Sequence, residues 1–217
     1  MGIIGRGELS DIDRLHDHVV AVLGSELTQW PGGWPDEIDA AVIDAVFSVR
    51  ARYGSRARRT GVYGAVMRWR KERDAANDLS VLASVDSDAL RRITNNGKLA
   101  QRYKADIVIE VARAFVDAGI VSADDFRNKE VLARTTYLSV KGCGPVTWAY
   151  LRMLTGLEDV KTDTWLVRFV RDVLPDASED DTGRLMKEVA SRMGVDAHRL
   201  DHAAWAYRRT VDVEGKT

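Results

Sequence analysis

The sequence has 217 residues, of which 45% are hydrophobic and 30% charged, the balance of a soluble globular protein. It contains no apolar run of the roughly 18 residues that a membrane-spanning helix needs. Its one cysteine, Cys143, excludes an internal disulfide and any cysteine-rich zinc or iron–sulfur site. We therefore expect a cytoplasmic protein.

The formal net charge of −1 hides a strongly basic segment. Between Arg50 and Arg73 stand nine basic residues and a single acid, Glu72, which is a local excess of +8. A block of this size favours a polyanion, such as nucleic acid, as the partner. A solvated helix face is the alternative interpretation of the same residues.

The hydrophobic pattern is helical almost throughout, so we predict an all-α fold. Ser10 can cap a first helix that Gly24 ends, and Asn95-Asn96-Gly97 interrupts the chain before a long apolar stripe. No segment has the period-2 pattern of a strand, and the short connections favour a compact protein. In chain order, the later predicted helices cover 35–47, 60–73, 86–93, 99–119, 130–140, 145–155, 163–174, 182–193 and 198–211.

Two short stretches carry the strongest chemical signal. In SVKGCGPVTWAYLRML, two glycines flank Cys143, and Pro145 suits the first position of the next helix. Because the N–H groups of a helix start favour an anion, this turn can hold a nucleic-acid phosphate. In DVKTDTWLVRFV, Asp163 stands where another helix begins. An ordinary tight corner and a simple N-cap are the alternative interpretations.

Together these stretches resemble the signature of the helix-hairpin-helix DNA glycosylase superfamily, which includes endonuclease III. Members read approximately L-P-G-V-G-x-K-T-A and, about twenty residues later, V-D-T-H-V-x-R-V. AVFSVRARYG, ITNNGKLAQRYKADIVIEVARAF and LDHAAWAYRRTV resemble further segments of the family, in the same order. The residues that match the two motifs are Gly142, Gly144, Thr147, Asp163, Thr164 and Arg168.

The resemblance implies a two-lobed helical fold with a DNA-binding cleft between the lobes. One lobe would be a central helical bundle of residues 45–157 that contains the hairpin. Residues 1–44 and 158–217 would form the second lobe from both termini. The expected partner is double-stranded DNA, bound by a monomer that is cytoplasmic, or nucleoid-associated in a prokaryote.

The resemblance also implies a reaction, namely hydrolysis of the bond between a base and its sugar. Asp163 would be the catalytic carboxylate, stabilising positive charge on the sugar and orienting water. Lyase-active relatives carry a lysine nucleophile where this chain has Val146, so we expect a monofunctional enzyme that leaves an abasic site. Trp165 stands where the family has histidine, which leaves the excised base open among alkylated, deaminated, oxidised and hypermodified bases.

The resemblance also implies residues for gap filling, for DNA contact and for the base pocket. A glycosylase must flip the nucleotide and fill the gap it leaves, and Arg50 stands at the gap-filling position, with a phosphate contact as the alternative. The residues expected to contact DNA are Gly142, Gly144, Val146, Thr147, Arg50, Arg52 and Arg56. Those expected to line the base pocket are Trp30, Trp34, Tyr53 and Trp165, with simple packing within a lobe as the alternative for Trp30 and Trp34.

No cofactor is expected to be required, and the single cysteine excludes the family's four-cysteine iron–sulfur loop. The family hairpin often binds a monovalent cation through backbone carbonyls beside a DNA phosphate. Here the matching carbonyls belong to Leu138, Val140 and Cys143.

Two other functions also fit the sequence. Val146 and Trp165 also fit a DNA-binding or lesion-sensing protein that kept the fold and lost catalysis. An all-helical scaffold for a protein partner would instead scatter the basic segment around the surface, and its behaviour on DNA would not depend on salt.

Overall fold

The structure is a computed structural model that describes residues 9–27, 30 and 32–214. Within these residues the fold is all-α, as the sequence predicts, with one two-stranded antiparallel pair. The strands are β1 (Lys98–Leu99) and β2 (Arg102–Tyr103). The helices are α1 (Asp11–Leu23), α2 (Ile38–Phe47), α3 (Gly61–Glu72), α4 (Leu79–Ser84), α5 (Ser87–Ile93), α6 (Lys104–Asp117), α7 (Ala123–Asn128), α8 (Glu130–Ser139), α9 (Pro145–Leu154), α10 (Thr164–Arg171), α11 (Glu179–Met193) and α12 (Ala197–Glu214).

The chain divides into two compact units. The terminal unit comprises Met1–Pro31 and Glu158–Thr217, and the central unit comprises Gly32–Leu157. Residues 32–44, which the sequence analysis assigned to the lobe of the two termini, belong to the central unit. The reason is that α2 is buried along its whole length and packs on α3, α6 and α9.

The terminal unit is built from α1, α10, α11 and α12. Helix α1 begins with a capping box, in which the Ser10 side chain accepts the Asp13 N–H and the Asp13 carboxylate reaches back to Ser10. Helix α11 begins in the same way, with Ser178 and Asp181. The helices meet around a shared apolar core that includes Leu15, Val19, Leu166, Phe169, Met186 and Leu200.

The central unit is organised around α2, whose ten residues are all buried. This helix carries two buried carboxylates, Asp39 and Asp44, among apolar neighbours. Because a buried charge is costly without partners, both positions need hydrogen-bond donors nearby. The surrounding core includes Phe47, Trp69, Phe115, Phe126 and Tyr137.

Several predicted boundaries were wrong. The long helix predicted from Leu99 begins at Lys104, because residues 98–103 form the β1–β2 pair first. Helix α2 begins at Ile38 rather than Pro35, and the short helices α4 and α7 were not predicted. With six residues each, α4 and α7 are too short for a helical period to be evident in the sequence.

Candidate functional site

The glycine turn joins α8 and α9 in the central unit as a helical hairpin. The Cys143 N–H donates to the Val140 carbonyl at 3.0 Å and closes the turn. Gly142 has φ +110°, a conformation that a side chain strongly disfavours, and a Cβ there would lie 3.0 Å from Ile107 Cδ1. Gly144, by contrast, is in extended backbone with open space where a Cβ would stand. The turn thus packs on α6 at Gly142 and leaves Gly144 open to a ligand.

The start of α9 presents backbone donors. Pro145 has no N–H, and the Gly144 N–H donates to Thr147 Oγ1 at 3.0 Å. Gly144 offers no side chain to cap the helix, so the N–H groups of Val146 and Thr147 meet no acceptor among the described residues. Unsatisfied N–H groups at a helix N-terminus attract anions. The four hairpin residues expected at DNA therefore lie together around an anion-favouring surface.

Cys143 and two nearby carbonyls complete the hairpin. Burial raises the pKa of the Cys143 thiol to about 11, so this cysteine is not a reactive thiolate. The carbonyls of Leu138 and Cys143 accept no hydrogen bond from the described residues, and that of Val140 accepts one, from Cys143. Each of these oxygens therefore keeps at least one lone pair that no described donor uses.

Asp163 is the N-cap of α10 in the terminal unit. Its Oδ1 accepts the N–H of Trp165 at 2.9 Å and that of Leu166 at 3.3 Å. Its Oδ2 accepts no hydrogen bond from the described part of the chain, and the residue is half-buried. The two carboxylate oxygens are therefore inequivalent, since one fixes the helix end and the other is available to a ligand or a water molecule.

The segment that leads to Asp163 is anchored on α12 and α11. The buried carboxylate of Asp201, on α12, accepts the Lys161 N–H at 2.7 Å. Lys187, on α11, forms a 2.7 Å ion pair with Asp159. Burial, together with the negative charges of Asp163 and Asp159, raises the pKa of Asp201 to about 7, although the hydrogen bond from Lys161 and the charge of Lys161 act in the opposite direction. Asp201 was not predicted from the sequence, where its only signal is an acid at a core position of LDHAAWAYRR.

The two tryptophans of the terminal unit that were expected in the base pocket lie in different settings. Trp165 is half-buried, and the Arg168 guanidinium lies over its ring, 5.6 Å from the centroid. Trp30 packs edge-on against His198, with ring centroids 5.2 Å apart. Trp165 thus lies two residues after Asp163 in the chain and is partly accessible. Of the loop TQWPGGWP, Thr28, Gln29 and Pro31 lie outside the described residues.

Trp34 and Tyr53 lie in the central unit and share one buried acceptor, Asp44. Trp34 Nε1 and the Tyr53 hydroxyl each donate to Asp44 Oδ2 at 2.8 Å, and the Tyr150 hydroxyl donates to Oδ1 at 3.1 Å. Burial, together with the Asp44 charge, raises the pKa of both tyrosine hydroxyls well above the ordinary value. Sequence analysis missed this cluster because its members are far apart along the chain.

The expectation that Trp34 stacks on a base needs correction. The side chain is only 7% exposed. Its ring stacks against Tyr63, with centroids 6.0 Å apart, and the Arg70 guanidinium lies 5.1 Å from its centroid. The indole faces are therefore already covered within the central unit, and the ring is a structural element of the Asp44 cluster.

The basic segment is only partly on the surface. Arg70 and Arg73 form ion pairs with Glu37, and Arg73 also pairs with buried Asp39 at 2.6 Å. These two arginines support α2 and are therefore not available to a polyanion as free charges.

Arg50 and Arg52 are exposed, and their side chains meet no acceptor among the described residues. Arg56 donates to the Gly32 carbonyl at 3.2 Å and lies over the Tyr63 ring. All three stand in the loop between α2 and α3 and expose positive charge there.

Two features of the described residues concern metal binding and membrane insertion. No group of three or more His, Cys, Asp or Glu side chains there is arranged to hold a metal ion. No described helix is both long enough and apolar enough to cross a membrane.

Comparison with known proteins places the chain in a family. A family model described as "Domain of unknown function (DUF8548)" matches residues 13–209. The chain belongs to the DUF8548 family. A search of curated proteins finds no match to the sequence.

The fold of this DUF8548 member is shared with a solved structure described as MBOgg1 in complex with a low affinity DNA ligand. The TM-score is 0.56 at 10% sequence identity, over 92% of this chain and 68% of that one. At such low identity the likeness concerns the fold alone.

Proposed function

We propose that this chain is a monofunctional DNA glycosylase that hydrolyses the N-glycosidic bond of a damaged or modified base, with Asp163 as its catalytic carboxylate. The observation that carries the proposal is the inequivalence of the two Asp163 oxygens. Oδ1 is held by the N–H groups of Trp165 and Leu166, and Oδ2 has no partner among the described residues. A carboxylate fixed in this way needs no reorganisation to act on a positive charge that develops in the reaction.

The hairpin supports DNA as the substrate. The N–H groups of Val146 and Thr147 have no acceptor in the part of the chain that the structure describes, and beside the open Gly144 they suit a phosphate of the DNA backbone. A fold shared with MBOgg1, which is described in complex with DNA, is consistent with this role. In the helix-hairpin-helix superfamily, the hairpin motif is followed about twenty residues later by an aspartate. The hairpin and Asp163 stand in the same order in this chain, which supports the proposal.

The proposed reaction is a displacement at the sugar by water. The base leaves with the electrons of the broken N-glycosidic bond, and Asp163 stabilises the positive charge that develops on the sugar. Water then forms the new bond to the sugar carbon and loses a proton to the carboxylate. Because Val146 cannot form a Schiff base, the proposed product is an abasic site in an unbroken strand.

The test is a base-release assay over duplexes that each carry one alkylated, deaminated, oxidised or hypermodified base. Wild type is expected to release one class of base, with strand breaks only after alkali treatment. Asp163→Asn is expected to lower release by about 100-fold or more while DNA binding is kept, because the amide carries no charge. Undiminished release by Asp163→Asn would remove Asp163 from the mechanism.

Asp86→Asn is the matched control, since Asp86 caps α5 in the central unit through two N–H groups, as Asp163 caps α10. The control is expected to release base as wild type does. If wild type releases no base from any duplex yet binds DNA tightly and in a salt-sensitive way, the chain is instead a non-catalytic DNA-binding or lesion-sensing protein.

A further inference from the structure

The loop between α2 and α3 is closed at its base by two glycines. A Cβ on Gly54 would lie 2.0 Å from the Thr60 carbonyl oxygen, and one on Gly61 would lie 2.5 Å from the Arg52 carbonyl oxygen. Two backbone hydrogen bonds join the two ends of the loop. The Val62 N–H donates to the Arg52 carbonyl, and the Tyr63 N–H donates to the Tyr53 carbonyl. Only glycine permits the two ends of the loop to approach this closely, so their relative positions are fixed.

The tip of the loop is held by short polar side chains. The Ser55 N–H donates to Thr60 Oγ1 at 3.1 Å, and the Arg58 N–H donates to Ser55 Oγ at 3.3 Å. Arg59 has φ +48°, in the left-handed region that non-glycine residues seldom adopt. Such strain persists only where the surroundings over-determine the conformation, so the loop presents its arginines in a preset arrangement.

Arg59 also lines a groove of about 360 Å³ along α3. The other cations of this groove are Arg68, Arg70, Lys71 and Arg73. A loop tip and a helix face are thus joined into one continuous basic surface.

The pairing pattern decides which of these charges remain available. Arg70 and Arg73 are neutralised by Glu37 and Asp39. Arg68 donates to the carbonyls of Ile93 and Thr94, which fix its position without cancelling its charge.

Arg58, Arg59 and Lys71 are exposed, and their side chains have no acceptor within the described residues. Arg59, Arg68 and Lys71 are therefore the uncompensated cations of the groove, and together with Arg58, which precedes Arg59 in the chain, we call them the arginine tract.

We infer that the arginine tract is a second DNA-binding surface, distinct from the hairpin, that holds the phosphodiester backbone of duplex DNA. The inference rests on the proposed function only in that DNA is the ligand. A run of phosphates fits better than a single small anion, because the charges are spread from the loop tip along α3. From Gly64 to Lys71 the helix rises about 10 Å, comparable to about three phosphates of one strand at about 3.4 Å of axial rise each.

The experiment measures the salt dependence of binding to a fluorescent duplex that carries no lesion. It compares Arg59→Ala, Lys71→Ala and the double variant in the Asp163→Asn background, so that turnover cannot interfere. Each lost phosphate contact is expected to reduce the slope of log K against log salt by about 0.9, and the double variant by about twice that. Arg134→Ala is the matched control, because Arg134 is exposed on α8 outside the tract; it is expected to keep the wild-type slope.

A wild-type slope and affinity in the double variant would overturn the inference. The inference would also be overturned if the double variant lost binding to inorganic polyphosphate but kept its binding to duplex DNA. Failure of the proposed function is recognised separately, since a protein that releases no base can still show the slope change. Conversely, base release by wild type with an unchanged salt slope in the double variant would contradict the role of the arginine tract in DNA binding. The proposed glycosylase activity would then still stand.

Discussion

The Asp201 carboxylate accepts a 2.7 Å hydrogen bond from the backbone N–H of Lys161, two residues before Asp163. The bond fixes the turn from which the Asp163 carboxylate emerges, and the Asp163 N–H donates back to the Lys161 carbonyl at 2.6 Å within that turn. Asp201 is therefore a positioning residue for the proposed catalytic group. The charged groups that face it are Asp159, Lys161 and Asp163.

The first prediction concerns the pH dependence of stability. The pKa of Asp201 is about 7 in the folded protein, against an ordinary value of 3.8. The folded state therefore binds more protons than the unfolded state between these values. The stabilisation by protonated Asp201 is full below about pH 4 and is lost as the pH rises to 7, at about 1.4 kcal/mol per pH unit at most.

Thermal unfolding between pH 4 and 8.5 tests this prediction. In Asp201→Asn, the decline of Tm with rising pH is expected to be smaller than in wild type. Above pH 7 the variant is expected to unfold at a higher temperature than wild type, because the amide keeps an acceptor for the Lys161 N–H without the buried charge. Asp180→Asn, a change at an exposed acid on α11, is the control and should follow the wild-type curve. Parallel curves of Tm against pH for Asp201→Asn and wild type would contradict a raised pKa of Asp201 in the folded protein.

The second prediction concerns the Asp44 cluster. Asp44→Ala removes the acceptor that Trp34, Tyr53 and Tyr150 share, and a buried donor that loses its acceptor costs about 1–3 kcal/mol. The free energy of unfolding in urea is expected to fall by about 3 kcal/mol or more. Tyr53→Phe removes one bond to the carboxylate and should cost about 1.5–3 kcal/mol.

Tyr63→Phe is the comparison for the Asp44 cluster. Tyr63 stacks on Trp34, but its hydroxyl has no hydrogen-bond partner in the described residues. Its loss is expected to change the free energy of unfolding by less than about 0.5 kcal/mol. Equal costs for Tyr53→Phe and Tyr63→Phe would show that the bond to Asp44 contributes nothing.

The sequence predicted most elements that depend on local chemistry, apart from the short helices α4 and α7, and missed the side-chain clusters that depend on long-range contacts. Ser10 and the glycines of the hairpin are local signals, and they placed α1 and the α8–α9 turn. The Asp44 cluster joins residues as far apart as Asp44 and Tyr150, so no spacing rule could bring them together. The pairing of Arg70 with Glu37 was hidden for the same reason, and the basic segment looked more exposed than it is.

The third prediction separates the two hairpin glycines. Gly142→Ala forces a side chain into φ +110° against Ile107 and is expected to cost about 1–3 kcal/mol of stability. Gly144→Ala meets open space in extended backbone and should cost less than about 1 kcal/mol. Its methyl group, however, would stand beside the N–H groups at the start of α9, where we propose that a phosphate binds, so DNA affinity is expected to fall about tenfold, or 1.4 kcal/mol.

Thermal unfolding and fluorescence anisotropy on the same two variants test the hairpin prediction. The expected result is a crossed pattern, with the larger loss of stability in Gly142→Ala and a clear loss of affinity in the still-folded Gly144→Ala. If Gly144→Ala binds duplex DNA as wild type does, the hairpin does not hold a phosphate there.

The fourth prediction separates the two roles of Asp163. As an N-cap, it is replaceable by asparagine, whose side-chain oxygen accepts the same two N–H groups, but not by alanine. Asp163→Ala is expected to lower the free energy of unfolding by about 1 kcal/mol, or about 2–4 °C in Tm, and Asp163→Asn by less than half of that. Both variants should lose base release equally, since chemistry needs the charge and the cap needs only an oxygen. Equal stability of the two variants would show that the Oδ1 bonds do not hold the helix start. Retained release in the asparagine variant alone would show that Asp163 acts only by shaping α10, because that variant keeps the cap without the charge.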